Sequence, residues 1–227
     1  MTKRELAACI DHTFLKAAGD PGAVERLCEE ARKFRFACAM VNPAEVKRAA
    51  ELLDGSDVRV GTVAGFPLGQ STVKAKCFEA VEAVQNGALD IDYVLNIRDL
   101  RSKPSDDVLE DLTLLNLAPK KVSDDVVTKL IIECCYLTDD EKVLACRLAK
   151  KAGFDFVKTS TGFGSGGATV EDVALMRKTV GKTMGVKAAG GIRTLDDAMK
   201  MLAAGANRLG CSAGVEIVES LALRAEG

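Results

Sequence analysis

Short runs of β-branched and apolar residues alternate along the whole chain with longer stretches in which apolar residues recur at helical spacing. The runs predict strands at Cys9–Thr13, Ala37–Val41, Val58–Val63, Ile91–Leu95, Lys129–Glu133, Phe156–Thr159, Gly185–Ala188 and Arg208–Gly210. The stretches between them predict helices near 21–34, 44–53, 71–86, 105–117, 139–152, 170–180, 195–204 and 214–223. Eight β-α pairs of ~25 to 30 residues each point to the α/β class, and to a closed (β/α)8 TIM barrel rather than an open doubly wound sheet.

Helix boundaries carry their own chemistry. Asn42-Pro43 precedes the second helix. Thr138-Asp139-Asp140-Glu141 and Thr169-Val170-Glu171-Asp172 place side-chain acceptors and negative charge at the positive dipole ends of the fifth and sixth. Gly87, Gly153, Gly181 and Gly205 follow periodic runs, where C-caps are expected. The least regular stretch, from Arg98 to Thr128, contains Pro104 and Pro119 and predicts one helix, a loose connection and a solvated charged face.

The 227 residues are 48% hydrophobic and 28% charged, enough for a single barrel domain over 1–227 and too apolar for a disordered chain. Lys and Arg number 31 against 33 Asp and Glu, a net charge of −2 with no basic block, so no nucleic-acid partner is expected. Asp11 and His12 interrupt the only apolar stretch near the start, which predicts neither a secretion signal nor a membrane span and points to the cytoplasm. Cysteines at 9, 28, 38, 77, 134, 135, 146 and 211 lack zinc spacing and read as reduced, mostly buried packing residues. His12 is the only histidine, so a His-rich metal site is excluded, and neither metal nor cofactor is expected.

Residues at the carboxyl ends of barrel strands face the mouth where substrates bind. In Asp90–Ile97, alternation puts Asp90, Asp92, Val94 and Asn96 on one face and Ile91, Tyr93, Leu95 and Ile97 on the other. The apolar set belongs against the helices, so Asp92 points inward, where a carboxylate needs a partner or a site. Lys158 and Lys187 interrupt the apolar sixth and seventh strands. Strands ~4.8 Å apart bring two inward lysines to within roughly 5 to 8 Å. Desolvation and like charge then disfavour the ammonium form, so one of the two amines can be neutral enough to attack a carbonyl. Lysines snorkelling to solvent, with Asp92 as an ordinary ion-pair partner, would explain each residue singly, and their coincidence on three strands weakens that reading without removing it.

Glycine-rich loops supply a second signal. Gly190-Gly191 after the seventh strand and Gly210-Cys211-Ser212-Ala213-Gly214 after the eighth suit a phosphate cradle of backbone N–H groups. Thr159–Gly167 after the sixth adds hydroxyls and flexible backbone.

With these residues in view, the chain resembles the deoxyribose-phosphate aldolases, class I aldolases on a (β/α)8 barrel. The resemblance runs through Ile10-Asp11-His12-Thr13, Gly65-Phe66-Pro67-Leu68-Gly69, Asp90-Ile91-Asp92, Phe156–Phe163, Gly166–Thr169, Gly185–Ala188 and Gly190-Gly191-Ile192-Arg193. It implies that Lys158 forms a Schiff base, Lys187 tunes it and Asp92 is the acid/base carboxylate. Gly162, Gly190, Gly191 and Ser212 would line the phosphate end. The implied reaction is reversible cleavage of 2-deoxy-D-ribose 5-phosphate to acetaldehyde and D-glyceraldehyde 3-phosphate. Its partners are small sugar phosphates and aldehydes, with room for a homo-oligomer. Arg98 stands where a glycine is usual, Ala213 where a second serine is common, and the tail from Leu221 lacks a tyrosine. Two rivals are a lysine aldolase of the same barrel type acting on another phosphorylated sugar, and a non-catalytic phosphate-binding barrel.

Overall fold

Eight short strands pair in parallel and in chain order in the computed structural model, which describes residues 1–225. They are β1 (Ile10–Phe14), β2 (Cys38–Val41), β3 (Arg59–Ala64), β4 (Asp90–Val94), β5 (Val127–Ile131), β6 (Phe156–Lys158), β7 (Gly185–Ala189) and β8 (Arg208–Cys211). The last pairs back onto the first through Ile10↔Leu209, Asp11↔Gly210 and His12↔Cys211, so the sheet closes and leaves no free edge. Around it lie α1 (Lys3–Ala7), α2 (Ala23–Phe34), α3 (Val46–Leu53), α4 (Val73–Gln85), α5 (Ile97–Ser102), α6 (Ser105–Lys120), α7 (Asp139–Lys151), α8 (Val170–Val180), α9 (Leu195–Ala203) and α10 (Gly214–Ala225). The architecture is the expected (β/α)8 barrel. No helix among the described residues is long and apolar enough to cross a membrane.

The predicted caps form at α7 and α8. Thr138 and Glu141 close a reciprocal capping box at 3.3 and 2.8 Å, and the Thr169 hydroxyl accepts from the Asp172 N–H at 3.0 Å. Asn42 makes no side-chain cap; it leads into a 3-10 turn, Pro43–Glu45, ahead of α3. The stretch 98–128 departs most from expectation. Two helices replace one helix and a loose connection, and α6 carries Pro119 in its last turn, where the missing N–H removes a single bond. Some of the charges there are paired, Arg101 with Glu141 at 2.7 Å and Lys103 with Asp99 and Asp111 at 3.1 and 2.9 Å, while Arg98, Asp106, Asp107 and Glu110 stand exposed as a solvated face. The fifth strand lies two residues earlier than expected, which leaves Glu133 beyond it.

Alternation along the strands sorts the apolar residues into two unequal cores. Residues such as Ile91, Tyr93, Leu130, Val157 and Val186 face outward and join the helices in the main core. Inside the barrel, the apolar cluster is only Leu15, Cys38, Met40 and Val63, with Phe66 packed against it. Charged side chains fill much of the rest of the interior. They fit because their neighbours are small: a Cβ on Gly210 would lie 3.1 Å from Lys187 Cε. The cysteines are all free; Cys28, Cys38, Cys134, Cys146 and Cys211 are buried, and Cys9, Cys77 and Cys135 partly so.

Candidate active site

Strand register brings the predicted reacting groups together. Asp92 on β4 stands opposite Lys129 on β5, and Lys158 on β6 opposite Lys187 on β7. One carboxylate oxygen, Asp92 Oδ2, accepts from Lys158 Nζ at 2.8 Å and from Lys187 Nζ at 2.7 Å. Its other oxygen lies 3.1 Å from Lys129 Nζ. Below this cluster Lys187 also pairs with Asp11 at 2.5 Å, and Arg208 holds the second oxygen of Asp11 at 2.8 Å. Lys129 pairs with Asp90, which Arg59 grips from the barrel's lower end at 2.5 Å.

The distribution of carboxylates decides which amine gives up its proton. Burial disfavours the ammonium at all three lysines. At Lys187, Asp11 and Asp92 outweigh burial and hold the amine above its ordinary range. Asp90 and Asp92 do the same for Lys129. Lys158 has Asp92 alone, and burial, helped by the positive charges of Lys187 and Lys129, pulls it down to about 8. The sequence pattern suggested that both Lys158 and Lys187 would be uncomfortable; instead Lys187 is a well-supported cation and Lys158 the poorly supported one. For Asp92, burial acts upward but the three lysines hold the carboxyl well below its usual range.

Lys158 also reaches a cavity of ≈ 490 Å³ at the carboxyl end of the barrel. Asp92 and Lys187, each with no exposed surface, lie beneath it. Gly162, Gly190, Gly191 and Ser212 line the same cavity. Gly190 and Gly191 have φ of 84° and 81°, the left-handed region that a β-carbon disfavours, so the pair turns the backbone over the opening. Lys16 and Arg193 add positive charge to this rim. Arg98 is exposed on α5 and Ala213 is partly buried; neither lines the cavity.

Sequence reasoning put Asp90 on the inward face but gave it no role, and it missed Asp11 and Lys129 in the interior and Lys16 and Arg193 on the rim. Lys129 had a visible signal, since it interrupts an apolar strand just as Lys158 does. Asp11, Cys38 and Asp90 offer ligand atoms within 4.8 Å of one another, but Lys129, Lys187 and Arg208 already neutralise that cluster, which disfavours a metal ion there. His12 pairs with Glu30 at 2.7 Å, its only hydrogen-bond partner among the described residues, so it builds no serine triad.

The family model of the DeoC/LacD family aldolases matches residues 6–220. Deoxyribose-phosphate aldolases of Bacteroides thetaiotaomicron and Carboxydothermus hydrogenoformans are 51% and 52% identical to the chain over 220 and 221 residues. Each alignment covers 97% of this chain, and 92% and 97% of the respective relative. The tetrameric structure of deoxyribose phosphate aldolase from Aeropyrum pernix superposes with a TM-score of 0.88 at 32% identity, covering 97% of this chain and 92% of that one. Since the family match runs from α1 to α10 and takes in every strand of the barrel, the chain belongs to the DeoC/LacD family of aldolases.

Proposed function

We propose that the protein catalyses reversible aldol cleavage of 2-deoxy-D-ribose 5-phosphate to acetaldehyde and D-glyceraldehyde 3-phosphate, with Lys158 as the Schiff-base nucleophile. One observation carries this reading: of three buried lysines around Asp92, the one with least anionic support is the one that reaches the cavity. The high identity to deoxyribose-phosphate aldolases supports the substrate.

The neutral amine of Lys158 attacks the C1 aldehyde, and the carbinolamine loses water to give an iminium. That cation accepts the electron pair of the breaking C2–C3 bond as the C3 hydroxyl gives up its proton. The Asp92–Lys187 pair, reached through water, relays this proton and then returns one to C2 of the enamine. Hydrolysis of the resulting iminium releases acetaldehyde and restores Lys158. Asp92, an anion, takes the C3 hydroxyl proton through water and later returns it to the enamine carbon, while Lys187, kept protonated by Asp11 and Asp92, donates the hydrogen bond that holds the relay in place.

At the far end, the N–H groups of Gly162, Gly190, Gly191 and Ser212 would receive the phosphate, with Lys16 and Arg193 balancing its charge. Such a substrate is doubly charged and crosses membranes poorly, which favours a cytoplasmic enzyme. The tetrameric relative from Aeropyrum pernix supports a homo-oligomer. Incubation with deoxyribose 5-phosphate and borohydride tests the reading. The expected result is release of glyceraldehyde 3-phosphate without reductant, and with it a reduced two-carbon adduct on Lys158. Turnover without any trapped adduct would remove the covalent route.

A further inference from the structure

Glu133 stands just past β5, outside the cluster of reacting groups, and is 3% exposed. Its hydrogen-bond partners are not cations. The carboxylate accepts from the Thr161 N–H, at 3.2 and 3.3 Å to its two oxygens, and from the Thr161 hydroxyl. That hydroxyl in turn accepts from the Phe163 N–H at 3.0 Å. The loop closes over the carboxylate so tightly that a Cβ on Gly164 would lie 3.2 Å from Glu133 Cδ. Glu133 itself adopts left-handed backbone, φ 54°, a conformation that a residue with a β-carbon rarely takes unless its surroundings impose it. The next residue extends the brace, since the Cys134 N–H donates to the Thr159 carbonyl at 2.8 Å.

The braced segment begins immediately after Lys158 and contains Thr161, Gly162 and Phe163, all of which line the cavity. A buried carboxylate without a cation is a costly way to secure a surface loop. It is an apt way to fix one turn in which the Thr161 and Phe163 N–H groups are taken up within the protein and the Gly162 N–H, with no acceptor among the described residues, is left for a ligand in the cavity. We infer that Glu133 is a positioning residue that sets the Thr161–Phe163 turn for the phosphate end of the substrate. This rests on the substrate reading given above.

The test compares deoxyribose 5-phosphate with 2-deoxyribose, which has the reacting carbons but no phosphate. For Glu133→Ala the expected result is a KM for the phosphorylated sugar raised about tenfold or more, with kcat changed less than threefold and kcat/KM for 2-deoxyribose nearly unchanged. Glu133→Gln keeps the shape and one acceptor oxygen, which guards against misfolding, and should recover most of the phosphate-dependent KM. Equal losses on both sugars, or an unchanged KM in both variants, would overturn the positioning role. A parent enzyme with no preference for the phosphorylated sugar would instead overturn the substrate reading, and the inference with it.

Discussion

Lys158 and Lys187 stand directly opposite each other on β6 and β7 and donate to the same oxygen of Asp92, at 2.8 and 2.7 Å. The two amines therefore share one anion, and of the pair only Lys187 also reaches a second, Asp11. The asymmetry leaves Lys158 the weaker base of the two, and it fixes the pH behaviour. With the Lys158 amine at about 8, the neutral form rises from roughly one-tenth at pH 7 to about nine-tenths at pH 9. Single-turnover trapping by borohydride should rise about tenfold over that range and then level off. A rate that stays flat from pH 7 to 9 would contradict the assignment.

Lys187→Leu should move this profile to higher pH. The change removes a nearby positive charge and leaves Asp92 Oδ2 to Lys158 alone, and both effects favour the ammonium form of Lys158. Activity at pH 7 should fall by about tenfold or more, with part of the loss recovered at pH 9 to 10. An unchanged profile would show that the two amines are not coupled.

Lys158, Lys187 and Asp92 could be recognised in the sequence because a charge inside a short apolar strand conflicts with burial, and alternation says which face it occupies. The same conflict was present at Lys129 and Asp11. What the chain pattern cannot convey is how far each strand is shifted against its neighbour, and that shift makes Lys129 a third partner of Asp92. The strand cores were legible to within about two residues, since apolar runs define them. The helix α5 was not, because its six residues, Ile97–Ser102, are too few to display a period. Glu133 was hidden in another way: placed at the end of a fifth strand read two residues too far along the chain, it gave no sign that the backbone turns there into left-handed geometry.

Lys158→Ala should abolish turnover and trapping while the barrel remains folded. Asp92 keeps Lys129 at 3.1 Å and Lys187 at 2.7 Å, so no buried anion is stranded. Far-UV circular dichroism should be unchanged and the melting temperature equal or higher, because a poorly supported buried amine has gone. Turnover above a few per cent of the parent would count against Lys158 as the nucleophile.

Asp92→Asn should separate imine formation from turnover. Three buried lysines lose their shared anion, which costs about 3 to 5 kcal/mol of stability by analogy with broken buried pairs. Asp92 is also the group that holds the Lys158 amine up, so its loss lowers that amine further and makes more of it neutral at pH 7. Trapping of substrate at pH 7 should persist or quicken while steady-state cleavage falls by about a hundredfold or more, the usual scale for removing an acid/base group. Parallel loss of both would mean that Asp92 is needed for the imine itself.

Acid stability should report on Asp11. Burial would raise this carboxyl, but Lys187, Lys129 and Arg208 overcome it and bring it to about 2. A carboxyl whose folded value lies below its unfolded value of ~3.9 stabilises the fold above that unfolded value, and the contribution disappears as pH falls through the folded one. The parent should therefore lose roughly 2 kcal/mol from this group between about pH 4 and pH 2. Asp11→Asn should be less stable at pH 7, since Lys187 keeps only Asp92 and Arg208 loses its 2.8 Å partner. Its stability should also fall less steeply in acid, so that urea denaturation curves of the two proteins converge toward pH 2. Parallel curves across that window would show that Asp11 titrates alike in the folded and unfolded chains, and that the lower half of the barrel's charge network contributes nothing to its acid sensitivity.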